Sequence, residues 1–197
     1  MNVDNLYDQN NNEYIPFVDS LLTLTDKNNK ITIATHKIIL YNSCIYFKKM
    51  LTNFKEKDSN SITIQVPNVN ISYDIIISFY HEKKIINSTN YPIWKYQLES
   101  YKCYDFFGLD FLDTKIFFDL EIPDEGFELL LDVIELIGFN KETIKLLNKN
   151  IPDDYDLTKF PKELLNEMYM IEKTRDIILA SFDGRIRIWN NITNKTN

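Results

Sequence analysis

The side chains best equipped for chemistry in this 197-residue chain are His36, His81, Cys44, Cys103 and the acidic group Asp153, Asp154 and Asp156. A histidine titrates near neutral pH and serves as general base or metal ligand. His36, however, follows a β-branched strand and starts a short helix, where packing and hydrogen bonding account for it. Two histidines and two cysteines at wide spacing, none in C-x-x-C or H-x-x-x-H order, do not make a zinc set. The three aspartates could attract a cation, but the glycine and distal glutamate of an EF-hand-like loop are absent, and they read as a solvated loop. No serine stands in G-x-S-x-G, and four glycines in all cannot assemble a phosphate-cradling loop. Tyr101, Tyr104, Phe106 and Phe107 could stack on bases, yet on an acidic helical chain they read as core. The expectation is therefore no enzyme, no cofactor and no metal.

Composition narrows the partners. A net charge of -7 argues against general binding to nucleic acid or anionic membrane, which relies on Lys and Arg neutralising phosphate. Lysine far outnumbers arginine (Arg175, Arg185 and Arg187 only), and Asn and Ile are abundant while alanine is limited to Ala34 and Ala180. AT-rich codons favour that bias, as in a giant DNA virus or an AT-rich protist. The first sixteen residues hold no apolar signal region. No run of about 18 apolar residues occurs that could span a bilayer. Two cysteines make no disulfide framework, so a reducing, cytoplasmic setting is expected, that of the host cell if the chain is viral.

The elements that would position these residues follow from periodicity and punctuation. Residues 1–15 are polar and Asn-rich and read as a disordered tail. FVDSLLTLT from Phe17 predicts a strand, DKNN at 26–29 a turn, and residues 30–35 the second arm of a hairpin. A short helix is predicted at 36–41. Ser43 is expected to cap the next helix, which turns Tyr46, Phe47, Met50 and Leu51 to a core. Residues 61–66 alternate as a third strand. Ser72 is expected to cap a helix carrying Ile75, Ile76 and Phe79, with Asp74 near its positive end. Pro92 stands where a further helix begins and Gly108 where it stops, with Trp94, Leu98, Tyr101 and Tyr104 along one side. Beyond Phe111 three amphipathic helices are expected. Asp124 opens the first, which carries Phe127, Leu130, Leu131 and Ile134 and stops before Gly138. Asn140 opens the second, and Pro161 the third, which carries Leu164, Leu165 and Met168. Asp183-Gly184 then predicts a two-residue turn in a C-terminal β-hairpin.

The order of these pieces resembles the BTB/POZ domain, an α+β fold in which a three-stranded sheet is flanked by helical hairpins. FVDSLLTLT, KITIATHKIIL, NSCIYFKKML, SITIQV, ISYDIIISFYH and LESYKCYDFFGL match its successive elements over residues 16–110. Thr35-His36-Lys37, followed by an apolar pair and then Ser43 to Phe47 as S-x-x-x-F, is the more specific part. The resemblance implies a non-enzymatic protein–protein interaction adaptor. Family members often recruit cullin-3 ubiquitin ligases through a hydrophobic-x-Glu motif after the Phe-bearing helix, matched here by Phe54-Lys55-Glu56. Phe54 and Glu56, with Tyr46 and Met50 on the same surface, are thereby the expected partner-binding residues. The alternative the resemblance implies is a homodimer or oligomeric scaffold with no ligase partner. Its usual dimer element lies ahead of the first core strand, where this chain has its Asn-rich tail.

Residues 111–172 are expected to form a helical extension similar to the BACK region that follows many BTB domains. Residues 173–197 resemble the middle of a WD repeat, through Ser181, Asp183, Gly184, Ile186, Trp189 and Asn190. A propeller needs about four or more blades to close, and only part of one is present. BTB followed by WD elements resembles the BTB/POZ and WD-repeat proteins of giant DNA viruses such as mimivirus.

Overall fold

Alternating apolar residues pair β1 (Ser20–Thr25) with β2 (Lys30–Thr35) as an antiparallel hairpin, Ser20 opposite Thr35 and Thr25 opposite Lys30. This computed structural model describes residues 18–80, 90–110, 114–173, 178–180 and 186–188. His81 and the expected tail at 1–15 lie outside those residues. The hairpin turn is closed by Asp26, whose Oδ1 accepts the N–H groups of Asn28 and Asn29 at 2.8 and 2.7 Å. A third strand, β3 (Ser61–Gln65), runs parallel to β1 on its other side, giving the order β2-β1-β3. Side chains alternate across the sheet, so Ile33, Leu22 and Ile62 form one buried row. On the opposite face Thr32, Thr23 and Thr63 align, with the Thr23 and Thr32 hydroxyls 3.0 Å apart.

Parallel strands need a crossover, and here it is helical: α1 (Lys37–Ser43), α2 (Ile45–Asn53) and a 3-10 turn (Lys55–Asp58). Cys44 is extended (φ -153°, ψ 160°) and separates the two helices. Ser43 does not cap α2 as expected. It is the last residue of α1, and its Oγ donates to the Ile39 carbonyl at 2.6 Å, a back-bond open to any helical serine.

The next expectation fails in a similar way. α3 (Val69–Ser78) starts one turn before Ser72, with Asn68 as its cap: Asn68 Oδ1 accepts the Ile71 N–H at 3.2 Å. Ser72 is buried inside the helix, so Asp74 falls beyond the first turn, which carries no acidic residue. α4 (Ile93–Phe107) begins just after Pro92 and ends at Gly108, which adopts the left-handed φ of 65° that favours glycine. α1 packs on α2 and α3 on α4, and α3 also packs on the sheet. The core between them joins Leu22, Leu24, Ile33, Phe47, Ile62, Ile75, Ile76 and Phe107. This is the α+β arrangement of a small sheet with helical pairs.

Two compact units divide between Leu120 and Glu121. The second holds α5 (Phe127–Ile137), α6 (Lys141–Asn150) and α7 (Lys162–Lys173). Asp124 does not cap α5. It opens a 3-10 turn (Asp124–Gly126) with no side-chain cap, and the helix proper begins three residues later. Leu131 is only half-buried, and Val133 takes the core position beside Phe127, Leu130 and Ile134. Asn140 does cap α6. Its Oδ1 accepts from Glu142 and Thr143, and Thr143 Oγ1 accepts the Asn140 N–H at 2.9 Å, completing a capping box. Leu164 and Met168 of α7 are buried, and Leu165 is half-buried.

The C-terminal hairpin pairs β4 (Ile178–Ala180) with β5 (Ile186–Ile188). Its register sets Ala180 opposite Ile186, whereas a two-residue turn at Asp183-Gly184 calls for Ala180 opposite Arg187. The turn itself, with Ser181, Trp189 and Asn190, lies outside the described residues.

Candidate interaction surface

Several of the residues suited to chemistry have structural roles. The backbone N–H of His36 donates to the Tyr80 hydroxyl at 2.9 Å, and the imidazole and phenol rings lie 5.8 Å apart. Burial pushes the Cys103 thiol up to about 11, despite the hydrogen bond from Ser72 and its own contact with the Asn68 carbonyl. Burial likewise raises the Cys44 thiol. Thiols held protonated in this way are poor nucleophiles and poor metal ligands. Asp156 Oδ1 accepts from both the Thr158 hydroxyl, at 2.6 Å, and the Thr158 N–H, at 3.1 Å, and so caps a 3-10 turn (Leu157–Lys159). Those bonds hold its carboxyl below the usual range. Among the described residues no group of three or more His, Cys, Asp or Glu could hold a metal, and no helix is long and apolar enough to cross a membrane.

What the fold presents outward lies at the end of the crossover. α2 places Phe47 and Met50 inward, 0% and 8% exposed. Two helical turns after Phe47 the helix stops at Phe54, whose backbone becomes extended (φ -120°, ψ 166°) while its N–H still reaches the Met50 carbonyl. That break throws the Phe54 ring out of the helix stripe, and it is 59% exposed. The Lys57 N–H donates to the Phe54 carbonyl at 3.3 Å, and the Lys37 ammonium donates to the Lys57 carbonyl at 2.8 Å. The turn bearing Phe54 and Glu56 is thus tied to the start of α1.

The four expected binding residues are therefore not equivalent. Phe54 is exposed and Glu56 partly so. Tyr46 is half-buried, its ring 4.7 Å from Phe106 and edge-on to Phe47 and Phe107 at 5.4 and 5.9 Å. Burial raises its hydroxyl, and the charge of Glu56 adds to that, placing the carboxylate within electrostatic reach of the ring. Met50 belongs to the core, so it supports this surface from beneath and does not line it. Helical spacing turned Met50 inward with Phe47, a consequence of the same periodicity that predicted the helix.

Sequence reasoning did not single out Ile38 and Ile45, which stand exposed on the outer faces of α1 and α2. Their spacing from Lys37, Lys48 and Lys49 is the signal that would have found them.

Comparison with known proteins bears on this surface. The family model for the BTB/POZ domain matches residues 6–120. A BTB/POZ domain-containing protein of Acanthamoeba polyphaga mimivirus is 47% identical over 181 residues, covering 87% of this chain and 23% of its own length. A BTB/POZ domain and WD-repeat protein of the same virus is 44% identical over 170 residues, covering 86% of this chain and 34% of its own length. A second protein so described is 40% identical over 174 residues, 88% of this chain and 32% of its own length. The chain thus spans between 23% and 34% of the length of these relatives.

Proposed function

The chain belongs to the BTB/POZ domain family, and from that premise we propose that it is a substrate adaptor recruiting a cullin-3-type ubiquitin ligase through Phe54 and Glu56. A BTB/POZ domain is a protein-interaction module, and its output is proximity between bound proteins. The observation carrying the finer reading is Phe54 itself. A phenylalanine 59% exposed at a helix end, followed two residues later by a partly exposed glutamate, is an aromatic anchor with a carboxylate at its rim. Aromatics that become buried on binding dominate interface energetics, while a rim carboxylate fixes orientation. Tyr46, half-buried, lies within electrostatic reach of Glu56.

The adaptor would work in the cytoplasm, where cullin ligases and reduced thiols are found together. The test is capture of purified cullin-3 by the intact chain, alongside Phe54→Ala and Glu56→Ala variants. The expected outcome is binding by the parent, loss of at least about tenfold in affinity for Phe54→Ala, and a smaller loss for Glu56→Ala. Capture equal for all three, or no capture by the parent, rejects cullin recruitment. A concentration-dependent dimer or higher oligomer indifferent to Phe54→Ala would then favour a homo-oligomerising scaffold with no ligase partner.

A further inference from the structure

Between Asp26 and Glu56 the sequence holds no carboxylate. Those 29 residues, 27–55, contain six of the 22 Lys and Arg and none of the 29 Asp and Glu. With the whole chain at -7, the segment carries +6 and the remaining 168 residues carry -13. Lys27 and Lys30 belong to the β1–β2 hairpin. The other four, Lys37, Lys48, Lys49 and Lys55, fall on α1, α2 and the turn after it.

Folding sets those four on neighbouring elements. Ile45, Lys48, Lys49 and Thr52 are all exposed, and their i, i+3, i+4, i+7 spacing makes them a single stripe along α2. Lys48 Nζ lies 5.9 Å from the centre of the Tyr41 ring, so the stripe runs onto α1. Lys37, bonded to the Lys57 carbonyl at 2.8 Å, joins α1 to the Phe54 turn. The same elements carry three exposed apolar side chains, Ile38, Ile45 and Phe54, exposed by 64%, 46% and 59%. Among the described residues no ion pair joins Lys48, Lys49 or Lys55 to a carboxylate. The nearest carboxylates are those of Glu56 and Asp58 in the turn after α2 and of Asp19, whose Oδ1 accepts the Lys37 backbone N–H at 2.9 Å.

We infer that this α1–α2 face takes an acidic protein partner, one whose apolar strip receives Ile38, Ile45 and Phe54 while its carboxylates meet Lys48, Lys49 and Lys55. The inference rests on the adaptor reading and adds the chemistry of the partner to it. Charge complementarity decides the class. A bilayer or a nucleic-acid duplex is an anionic surface wider than this patch and would also face the chain's acidic remainder. A protein segment can match the patch and nothing more. Complementary charge of this kind raises the association rate and selects the partner, with the apolar anchors supplying the hold.

The test uses the intact chain and two synthetic helical peptides sharing one leucine stripe, with glutamate on the remaining faces of one and lysine on the other. Fluorescence anisotropy measures binding, and phosphatidylserine vesicles form a third arm. The glutamate peptide is expected to bind and the lysine peptide to be rejected, with affinity falling roughly tenfold between about 0.05 and 0.5 M salt. The combined Lys48→Glu, Lys49→Glu, Lys55→Glu variant, all exposed positions, is expected to lose at least about tenfold. Lys141→Glu with Lys145→Glu on α6 leaves binding unchanged. Equal binding of both peptides, full binding by the triple variant, or capture by vesicles in place of the peptide overturns the inference. Cullin-3 captured through Phe54 regardless of the lysines would sink this inference and spare the adaptor reading. Acidic-peptide binding without cullin-3 capture does the reverse.

Discussion

The inward and outward faces of α2 use the same residue types to opposite ends. Phe47 stacks on Phe107 at 5.6 Å with an interplanar angle of 23° and meets no solvent. Phe54, two helical turns later, has left the helix and is mostly exposed. Burying an aromatic stabilises the fold, whereas holding one in water costs solvation that only a partner can recover. Lys48 and Lys49, directly after Phe47, line the outward face. The contrast teaches that one short helix carries both the packing that makes the domain and the exposed face proposed above for binding. Substitutions on the two faces should therefore separate stability from binding.

The largest effect is expected at Phe47. Phe47→Ala opens a cavity beneath α2 and α4 and should cost about 3 to 5 kcal/mol, read from the midpoint of urea unfolding. That is a large share of the usual stability of a domain. If Phe47→Ala costs as little as a surface substitution, the inward face is not the keystone described above.

Gly108 sharpens the same contrast from the α4 side. Its positive φ strains any side chain, and a Cβ there would run into the Ile45 side chain at the start of α2. Gly108→Ala is expected to cost about 1 to 3 kcal/mol. Adding Ile45→Ala removes the overlap but not the strained φ, so roughly half of the loss should return. Complete recovery would mean the backbone angle is free to change.

Asp26 adds a pH dependence. Burial pushes its carboxyl up, but the N–H groups of Val69, Asn28 and Asn29 more than reverse this, and the net position is below the ordinary one. The folded value thus lies below the unfolded value of about 3.9. Its contribution is complete above that value and disappears as pH falls through the folded one. The Val69 bond, 2.9 Å from Oδ2, ties the hairpin turn to the start of α3. Asp26→Asn should lower stability at neutral pH and flatten the acid limb below about pH 4 relative to the parent. Parallel acid limbs for the two proteins would exclude Asp26 as a contributor.

Much of this architecture was legible in local pattern, and the failures have physical causes. Alternation gave both arms of the hairpin, and Gly108 marked the end of α4 because only a left-handed cap fits there. Ser43 misled because its hydroxyl returns to the Ile39 carbonyl within its own helix, and Ser72 because its hydroxyl is buried inside α3 and donates to Cys103 Sγ of α4. Asn68, after Pro67, was the better capping candidate. The capping box at Asn140 escaped notice because its third position is Thr143 where the usual signature has Glu or Gln. The parallel pairing of β1 with β3 joins residues some forty positions apart, and no periodicity encodes it; the resemblance implied a three-stranded sheet but neither its strand order nor its directions. At the surface, resemblance supplied Phe54 and Glu56, and helical spacing alone explains why Met50 faces inward. The lysine stripe was present in the sequence but acquires meaning only once α1 and α2 stand side by side.

The smallest effect on stability is expected at Phe54, and it is the sharpest test of the comparison. Phe54→Ala removes a ring that is mostly in water already, so the urea midpoint should move by no more than about 0.5 kcal/mol. The same substitution that ruins the core at Phe47 should here leave a folded protein that has lost its grip on its partner. A sizeable loss of stability would instead mean that the ring packs on this chain in solution, through contacts of its partly buried half. In that case the break after Asn53 would serve to close the core, and the outward face of α2 would reduce to the lysine stripe with Ile38 and Ile45. Charge reversal at Lys48 and Lys49 would then remain the only lever on binding, with the apolar anchor displaced toward the start of the two helices.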